Sequence, residues 1–193
     1  RKILGDPKPM TFHKIHKRLN ARAQDFIGCS PLLLLSTANQ AGESTVSPKG
    51  DAPGFVGIGD AQTLYIPERK GNKLIFSLQN ILENPHVGLL FMVPGTNETL
   101  RVHGQAELTA DAELCQKLSA RGSPALLVTV IRVAGCYFHC AKAFLRSSLW
   151  QPESWPEKFK VSFGEEIACN SSMSEADIEK LDANIAERYK LDL

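Results

Sequence analysis

Apolar and polar residues form short segments along the chain, and turn-forming residues separate these segments. Period-2 alternation and apolar runs of this length are typical of β-strands. The clearest hairpin joins LLLLSTA (32–38) to STVSPKGD (44–51) through the turn 39–42, where Asn and Gly supply left-handed conformations. The other predicted strands are TLYIP (63–67), VGLLFMV (87–93), ETLRVHGQAEL (98–108) and the segment 125–140.

Other segments repeat apolar residues every three or four positions and therefore predict helices. The helix expected at about 71–83 carries an apolar side, and Asn84-Pro85 ends it because proline cannot continue a helix. Further helices are predicted at 11–27, 109–121 and 141–150, and a last helix follows the N-cap Ser174.

Repeated hairpins predict an antiparallel sheet, because the strand–helix alternation of a parallel sheet is missing. Strands of this number would close into a barrel and so remove exposed edges. The period-2 pattern of 98–108 puts Leu100, Val102 and Gly104 on one face. We expect a mainly β domain with flanking helices.

The length of 193 residues fits one domain with a modest extension. We predict a domain over residues 1–150 that includes an N-terminal helix. The composition changes after 150, and residues 151–193 are predicted to form a loop and a helix that pack on this domain or on a partner subunit.

The net charge of +1 indicates no nucleic-acid or membrane partner, so any anion site must be local. The longest apolar runs are too short to cross a bilayer, and the first residues show no signal-peptide pattern. The five cysteines are odd in number and form no CxxC, which favours free thiols. We expect a cytoplasmic protein.

A basic turn lies between the strand 63–67 and the helix that follows it. Arg69, Lys70, Asn72 and Lys73 surround Gly71, and such a turn can hold a phosphate. The alternative interpretation is a solvated helix start. Cations at a helix N-terminus oppose its macrodipole by up to ~1 kcal/mol, which a bound dianion would reverse. Both interpretations stay open.

Ser47, Lys49 and Gly50 lie on a strand that also contains Pro48. Proline predicts an edge strand or a bulge, where side chains and free backbone groups often meet a ligand. An ordinary edge strand whose lysine deters aggregation is the alternative.

His139, Lys142, Arg146 and Trp150 would share one helix face if 139–150 is helical, and this face would suit an anionic planar ligand. A surface helix anchored by one tryptophan explains the same pattern. Cys136, His139 and Cys140 lie in one short segment without a fourth ligand, so no metal site is predicted.

The chain resembles the pyridoxamine 5'-phosphate oxidase-like family of FMN-binding proteins, in particular a bacterial subgroup with a PxGD strand and a PxRxGN turn. The segments that carry this resemblance are, in order, 44–51, 63–74, 80–95, 98–108 and 137–150. The resemblance covers roughly residues 25–150. It implies a six-stranded antiparallel split β-barrel and a homodimer with FMN at the interface.

The resemblance also implies site residues. Arg69, Asn72 and Lys73 would hold the FMN phosphate. The flavin ring and ribityl chain would lie along Ser47, Pro48, Lys49 and Gly50 of one subunit, while Lys142, Arg146 and Trp150 would reach the flavin from the other.

One departure from the family pattern limits the expected activity. Phe76 and Ser77 stand where the true oxidase has an Arg-Lys pair, so vitamin B6 oxidation is not expected. The leading hypothesis is an FMN-dependent oxidoreductase that takes NAD(P)H or a small-molecule substrate. In it, Lys49 or a backbone N–H near the ring would stabilise the reduced flavin. The alternative is a non-catalytic flavin or haem carrier on the same scaffold.

Overall fold

Seven antiparallel strands form one sheet in the residues described by the computed structural model, which are 2–3 and 5–191. The strands are β1 (Leu32–Ala38), β2 (Ser44–Gly50), β3 (Gly57–Asp60), β4 (Thr63–Glu68), β5 (His86–Met92), β6 (Thr99–Thr109) and β7 (Leu127–His139). Their order is β2-β1-β5-β6-β7-β4-β3. The predicted antiparallel fold is therefore confirmed, with seven strands instead of six. The extra strand is β3, a short Gly-containing segment that pairs with β4. Residues 1, 4, 192 and 193 of the predicted domains lie outside the described residues.

The described helices are α1 (Ala21–Cys29), α2 (Phe76–Glu83), α3 (Ala112–Lys117), α4 (Lys142–Ser147), α5 (Phe163–Ala168) and α6 (Glu175–Leu191). The predicted N-terminal helix over 11–27 is wrong as one element. A 3-10 helix covers Pro9–Lys14, then His16 pairs with Cys136 as a β-bridge. The true helix α1 begins later, because the Asn20 side chain accepts a hydrogen bond from Ala23 N–H.

The start of α2 also differs from the prediction. It begins at Phe76 and not near 71, because Lys73 and Ile75 have φ angles of 63° and 43°. A residue with positive φ lies outside the right-handed helical region, so the chain from 69 to 75 is a loop.

Period-2 alternation builds the core as predicted. Leu33 and Leu35 of β1 are fully buried, and so is Leu100 of β6, with Val102 and Gly104 on the same inner face. Helix α1 contributes Ala23 and Ile27 to the same apolar cluster.

Strands β2 and β4 are not neighbours in the sheet order, yet their side chains meet. Lys49 of β2 and Glu68 of β4 form an ion pair at 2.5 Å. The sheet must therefore curl until these two strands face each other, which leaves a gap without backbone pairing. We call this gap between β2 and β4 the seam.

The chain divides into two compact units, Arg1–Pro152 and Glu153–Leu193. In the second unit α5 and α6 pack together, and Gly164 N–H donates to Asp182 at 2.9 Å. The predicted N-cap of α6 is confirmed, since Ser174 Oγ accepts a hydrogen bond from Asp177 N–H. The packing of 151–193 on the domain or on a partner stays a prediction. None of the described helices is long and apolar enough to cross a membrane.

Candidate functional site

Charged side chains meet at the seam. Lys49 Nζ lies 2.5 Å from Glu68 Oε2, and Glu68 Oε1 accepts a hydrogen bond from Thr129 Oγ1 of β7 at 3.1 Å. The Lys49 and Glu68 side chains are only 16% and 9% exposed. This arrangement satisfies a largely buried carboxylate and holds the lysine in one position.

Asp51, directly after β2, joins two arginines. Arg69 Nε lies 3.0 Å from Asp51 Oδ2, and Arg121 Nη2 lies 3.2 Å from Asp51 Oδ1. Burial raises the pKa of Asp51, but the Ala52 N–H, the hydrogen bond from Arg69 and the charge of Arg121 lower it more, so its pKa lies below the usual value. Asp51 is therefore a carboxylate over the physiological pH range. We call Lys49, Asp51, Glu68, Arg69, Arg121 and Thr129 the seam cluster.

Arg69 has a buried donor that the seam cluster does not use. Its Nη1 is buried and has no hydrogen-bond partner among the described residues. Buried donors are nearly always paired, so an unpaired one indicates a place for an additional acceptor.

Strand β2 is an edge strand, as predicted from Pro48, and pairs with β1 alone. Its residues alternate: Ser47 and Lys49 are half-buried, whereas Pro48 and Gly50 are exposed on the other face. Lys49 faces Glu68 across the seam, so it is not the solvated edge lysine of the alternative interpretation.

The basic turn lies in the loop 69–75 and not at a helix N-terminus, so the macrodipole argument does not apply. Arg69 joins the seam cluster, while Asn72 and Lys73 lie farther along the loop and are exposed. The Asn72 side chain accepts a hydrogen bond from Leu74 N–H at 3.0 Å.

The predicted helix face over 139–150 is wrong. His139 ends β7, α4 covers only Lys142–Ser147, and Trp150 lies beyond α4. The Trp150 indole donates to the Thr96 carbonyl at 2.9 Å and stacks on Phe144. Arg146 is exposed on α4. Within the described chain, no hydrogen bond or ion pair joins Arg146 or Trp150 to the seam cluster.

The two cysteines near His139 differ in burial. Cys136 is buried and its thiol donates to the Arg18 carbonyl, whereas Cys140 is exposed. Across the described residues, no group of three histidine, cysteine or acidic side chains could hold a metal ion. Burial and the charges of Arg101 and Lys14 lower the pKa of His139.

The seam cluster is closely packed, since the Asp51 and Glu68 side chains are only 5% and 9% exposed. Two cavities of about 430 and 450 Å³ lie elsewhere. One is lined by residues around Thr63 and Arg132, and the other by residues around Thr45 and Asn80. A large ligand at the seam would therefore lie outside both of these cavities.

The sequence-based site prediction missed Asp51, Glu68, Arg121 and Thr129. Asp51 had a signal, since it continues the alternation of Ser47 and Lys49, and Glu68 is a lone charge at the end of an apolar strand. Arg121 had none, because its meeting with Asp51 depends on how the sheet curls.

Comparison with known families gives one match. The model of the pyridoxamine 5'-phosphate oxidase family matches residues 19–140, which is most of the first unit. The chain belongs to the pyridoxamine 5'-phosphate oxidase family. The matched residues include β2, β4, the loop 69–75 and the whole seam cluster, so the site lies within the family domain. No curated protein matches the sequence.

Solved structures support the split-barrel fold of this family member. HupZ from Group A Streptococcus, in a single-residue variant, is 19% identical, with a TM-score of 0.52 over 63% of this chain and 99% of HupZ. A second HupZ structure has a TM-score of 0.51 at 19% identity, over 62% of this chain and 93% of its own.

Proposed function

We propose that this protein binds FMN at the seam and acts as a flavin-dependent oxidoreductase. The observation that carries the proposal is the buried, unpaired Nη1 of Arg69. This donor lies in the turn where the family resemblance expects the FMN phosphate, and arginine binds phosphate oxygens through charge-assisted hydrogen bonds.

The residues at the seam fit such a group. Arg69 and Arg121 outweigh the single charge of Asp51, and Lys49 is balanced by Glu68. The net charge at the phosphate end is therefore positive. Asn72 and Lys73 follow in an exposed loop, where they add donors once a phosphate is bound.

Strand β2 would form the bed for the ring and the ribityl chain. It is an edge strand, so backbone groups that point away from β1 are available to a ligand. Ser47 and Lys49 lie on one face of it and Pro48 and Gly50 on the other. The bound flavin would supply the hydride chemistry. The ion pair with Glu68 would hold the Lys49 ammonium group in a fixed position. Because the Glu68 carboxylate also neutralises part of its charge, Lys49 would offer only a limited net positive charge to the reduced flavin.

We propose that a second copy of the chain covers the flavin. Leu74, Ile75 and Phe76 follow the basic turn and are 55%, 53% and 55% exposed. Three consecutive exposed apolar side chains beside a ligand site are typical of a surface that a partner covers. The partner copy would supply Arg146 and Trp150, which do not reach the seam cluster of their own chain.

A flavin titration tests the phosphate assignment. Arg69→Ala should weaken FMN binding about 10- to 100-fold, because one or two charge-assisted hydrogen bonds are lost. Binding of riboflavin, which lacks the phosphate, should change little. Arg22→Ala, on the exposed side of α1, is the matched control. Unchanged FMN affinity in Arg69→Ala would count against the proposal.

The proposed oxidoreductase reaction is tested on protein that has been loaded with FMN. Loss of flavin absorbance on anaerobic addition of NADPH or NADH, followed by repeated turnover, supports the oxidoreductase. Bound FMN that neither cofactor reduces would instead favour a flavin carrier, and a Soret band in the purified protein would favour a haem carrier.

A further inference from the structure

Asp51 is fixed by the main chain on both sides. Its N–H donates to the Pro31 carbonyl at 3.1 Å, and its Oδ1 accepts from Ala52 N–H at 2.9 Å. Its side chain is only 5% exposed. The carboxylate therefore has one orientation, which makes it a rigid reference point for any cation that binds it.

Arg121 reaches Asp51 from a strained turn. Its φ is 50° and that of Gly122 is 78°, and Ala120 pairs with Ser123 around them. A two-residue turn of this type favours glycine or asparagine at its first position, and an arginine there costs free energy. Two backbone hydrogen bonds between Ala120 and Ser123 close this turn, and from it the Arg121 side chain reaches Asp51 Oδ1.

Arg69 uses only part of its guanidinium for Asp51. The contact is made by Nε, whereas Nη1 belongs to the opposite edge of the planar group and has no partner among the described residues. An arginine held through Nε presents its far edge in a fixed direction, which is the geometry needed to bind two phosphate oxygens.

We infer that Asp51 is a positioning residue, which fixes Arg69 and Arg121 so that the far edge of the Arg69 guanidinium meets the phosphate of FMN. The inference rests on the proposed function and deepens it. If Asp51 acted on FMN only through its charge, replacing it would strengthen FMN binding, because a carboxylate near a phosphate dianion weakens the binding of that dianion. The direction in which FMN affinity changes when Asp51 is replaced therefore distinguishes the positioning role from the purely electrostatic one.

Asp51→Asn keeps the size and shape of the side chain and removes its charge. We expect the dissociation constant for FMN to rise about tenfold while that for riboflavin stays within about twofold, since only the phosphate contact is affected. Arg69→Ala combined with Asp51→Asn should lose no more FMN affinity than Arg69→Ala alone. An unchanged or tighter FMN constant in Asp51→Asn overturns the inference.

The control is Asp25→Asn, at an exposed carboxylate of α1, which should leave the dissociation constants for FMN and riboflavin unchanged.

If circular dichroism shows that Asp51→Asn does not fold, the variant Arg121→Gln tests the inference in its place. This residue is on an exposed turn, and its side chain is 56% exposed. A fall in FMN affinity of about threefold without loss of riboflavin supports the inference, and an equal loss of both ligands, or no loss, overturns it.

A further measurement separates this inference from the proposed function. If the wild-type protein does not bind FMN, the proposed function fails, and inorganic phosphate becomes the probe. If phosphate raises the melting temperature of the wild type but not that of Asp51→Asn, the positioning role of Asp51 is still supported. If phosphate does not raise the melting temperature of the wild type, the inference is overturned together with the proposed function.

Discussion

At the scale of single residues, His139 links the fold to pH. It lies at the end of β7, with Arg101 on the neighbouring strand and Lys14 close to the Tyr137 ring. Burial and these two charges lower its pKa in the folded protein. The unfolded chain therefore binds more protons than the folded one, and stability is lost as the pH falls from about 6.5 through the folded pKa.

We predict that the free energy of unfolding decreases between about pH 7.5 and 5.5 and that His139→Gln reduces this decrease. Arg101→Gln should also reduce it, because it removes one of the charges that disfavour the imidazolium. Urea unfolding at several pH values measures the effect. Equal pH dependence in wild type and both variants would refute the assignment to His139.

At the candidate site, the sequence indicated residues that carry local signals, and their role in FMN binding stays a prediction. Arg69 was expected at an anion site because of its basic turn, and it has the unpaired donor. Arg121 was missed because its ion pair with Asp51 joins chain segments that are 70 residues apart. No periodicity or motif reports such a contact, since it depends on the closure of the barrel.

At the scale of elements, most strands were predictable, whereas two helix starts were not. The alternation of apolar and polar residues in β1 and β6 follows the burial of their side chains directly. The predicted bounds of these two strands were therefore right to within a residue or two. The starts of α1 and α2 were placed too early, because apolar spacing continues through residues that are not helical. Ile75 at φ 43° has no sequence signature, since β-branched residues rarely adopt this conformation.

The pairing of α5 and α6 depends on the absence of a side chain at Gly164. A Cβ there would lie 2.7 Å from the Ile178 carbonyl oxygen and 3.0 Å from Ile178 Cα. These are backbone atoms of a helix and cannot move separately. We predict that Gly164→Ala separates the two helices and costs about 1–3 kcal/mol, as overpacking does.

Hydrogen exchange read by mass spectrometry on peptides from 162–182 measures this loss. Gly28→Ala is the matched control, because its added Cβ would have no neighbour within 4 Å and alanine favours a helix. It should leave α5 and α6 protected as in wild type. Unchanged protection in Gly164→Ala would contradict the packing described for this unit.

At the scale of the whole molecule, the antiparallel barrel was predictable and its closure was not. Hairpin signals gave the strand pairs that are adjacent in sequence, such as β1 with β2. The pairing of β4 with β7 and the meeting of β2 with β4 across the seam involve distant segments. Strand β3 was missed because its four residues include two glycines, a composition that is more typical of a loop.

The exposed apolar residues that follow the basic turn lead to a prediction about assembly. In the proposed site, a flavin bound at the seam would lie beside the exposed side chains of Leu74, Ile75 and Phe76. A second copy would bury both, so binding and dimerisation should strengthen each other. We expect the FMN-loaded protein to sediment as a dimer.

Phe76→Glu places a charge in this surface and should shift the protein towards the monomer and weaken FMN binding together, because an unpaired charge in an apolar interface is costly. Phe12→Glu is the matched control, since Phe12 has the same exposed fraction of 55% and lies in the N-terminal 3-10 helix. Sedimentation velocity and flavin titration on both variants give the two readouts. A monomeric FMN-loaded wild type would exclude a shared site. A Phe76→Glu dimer with unchanged flavin affinity would show that the interface does not include this loop, and other residues of the two chains would then have to cover the ring.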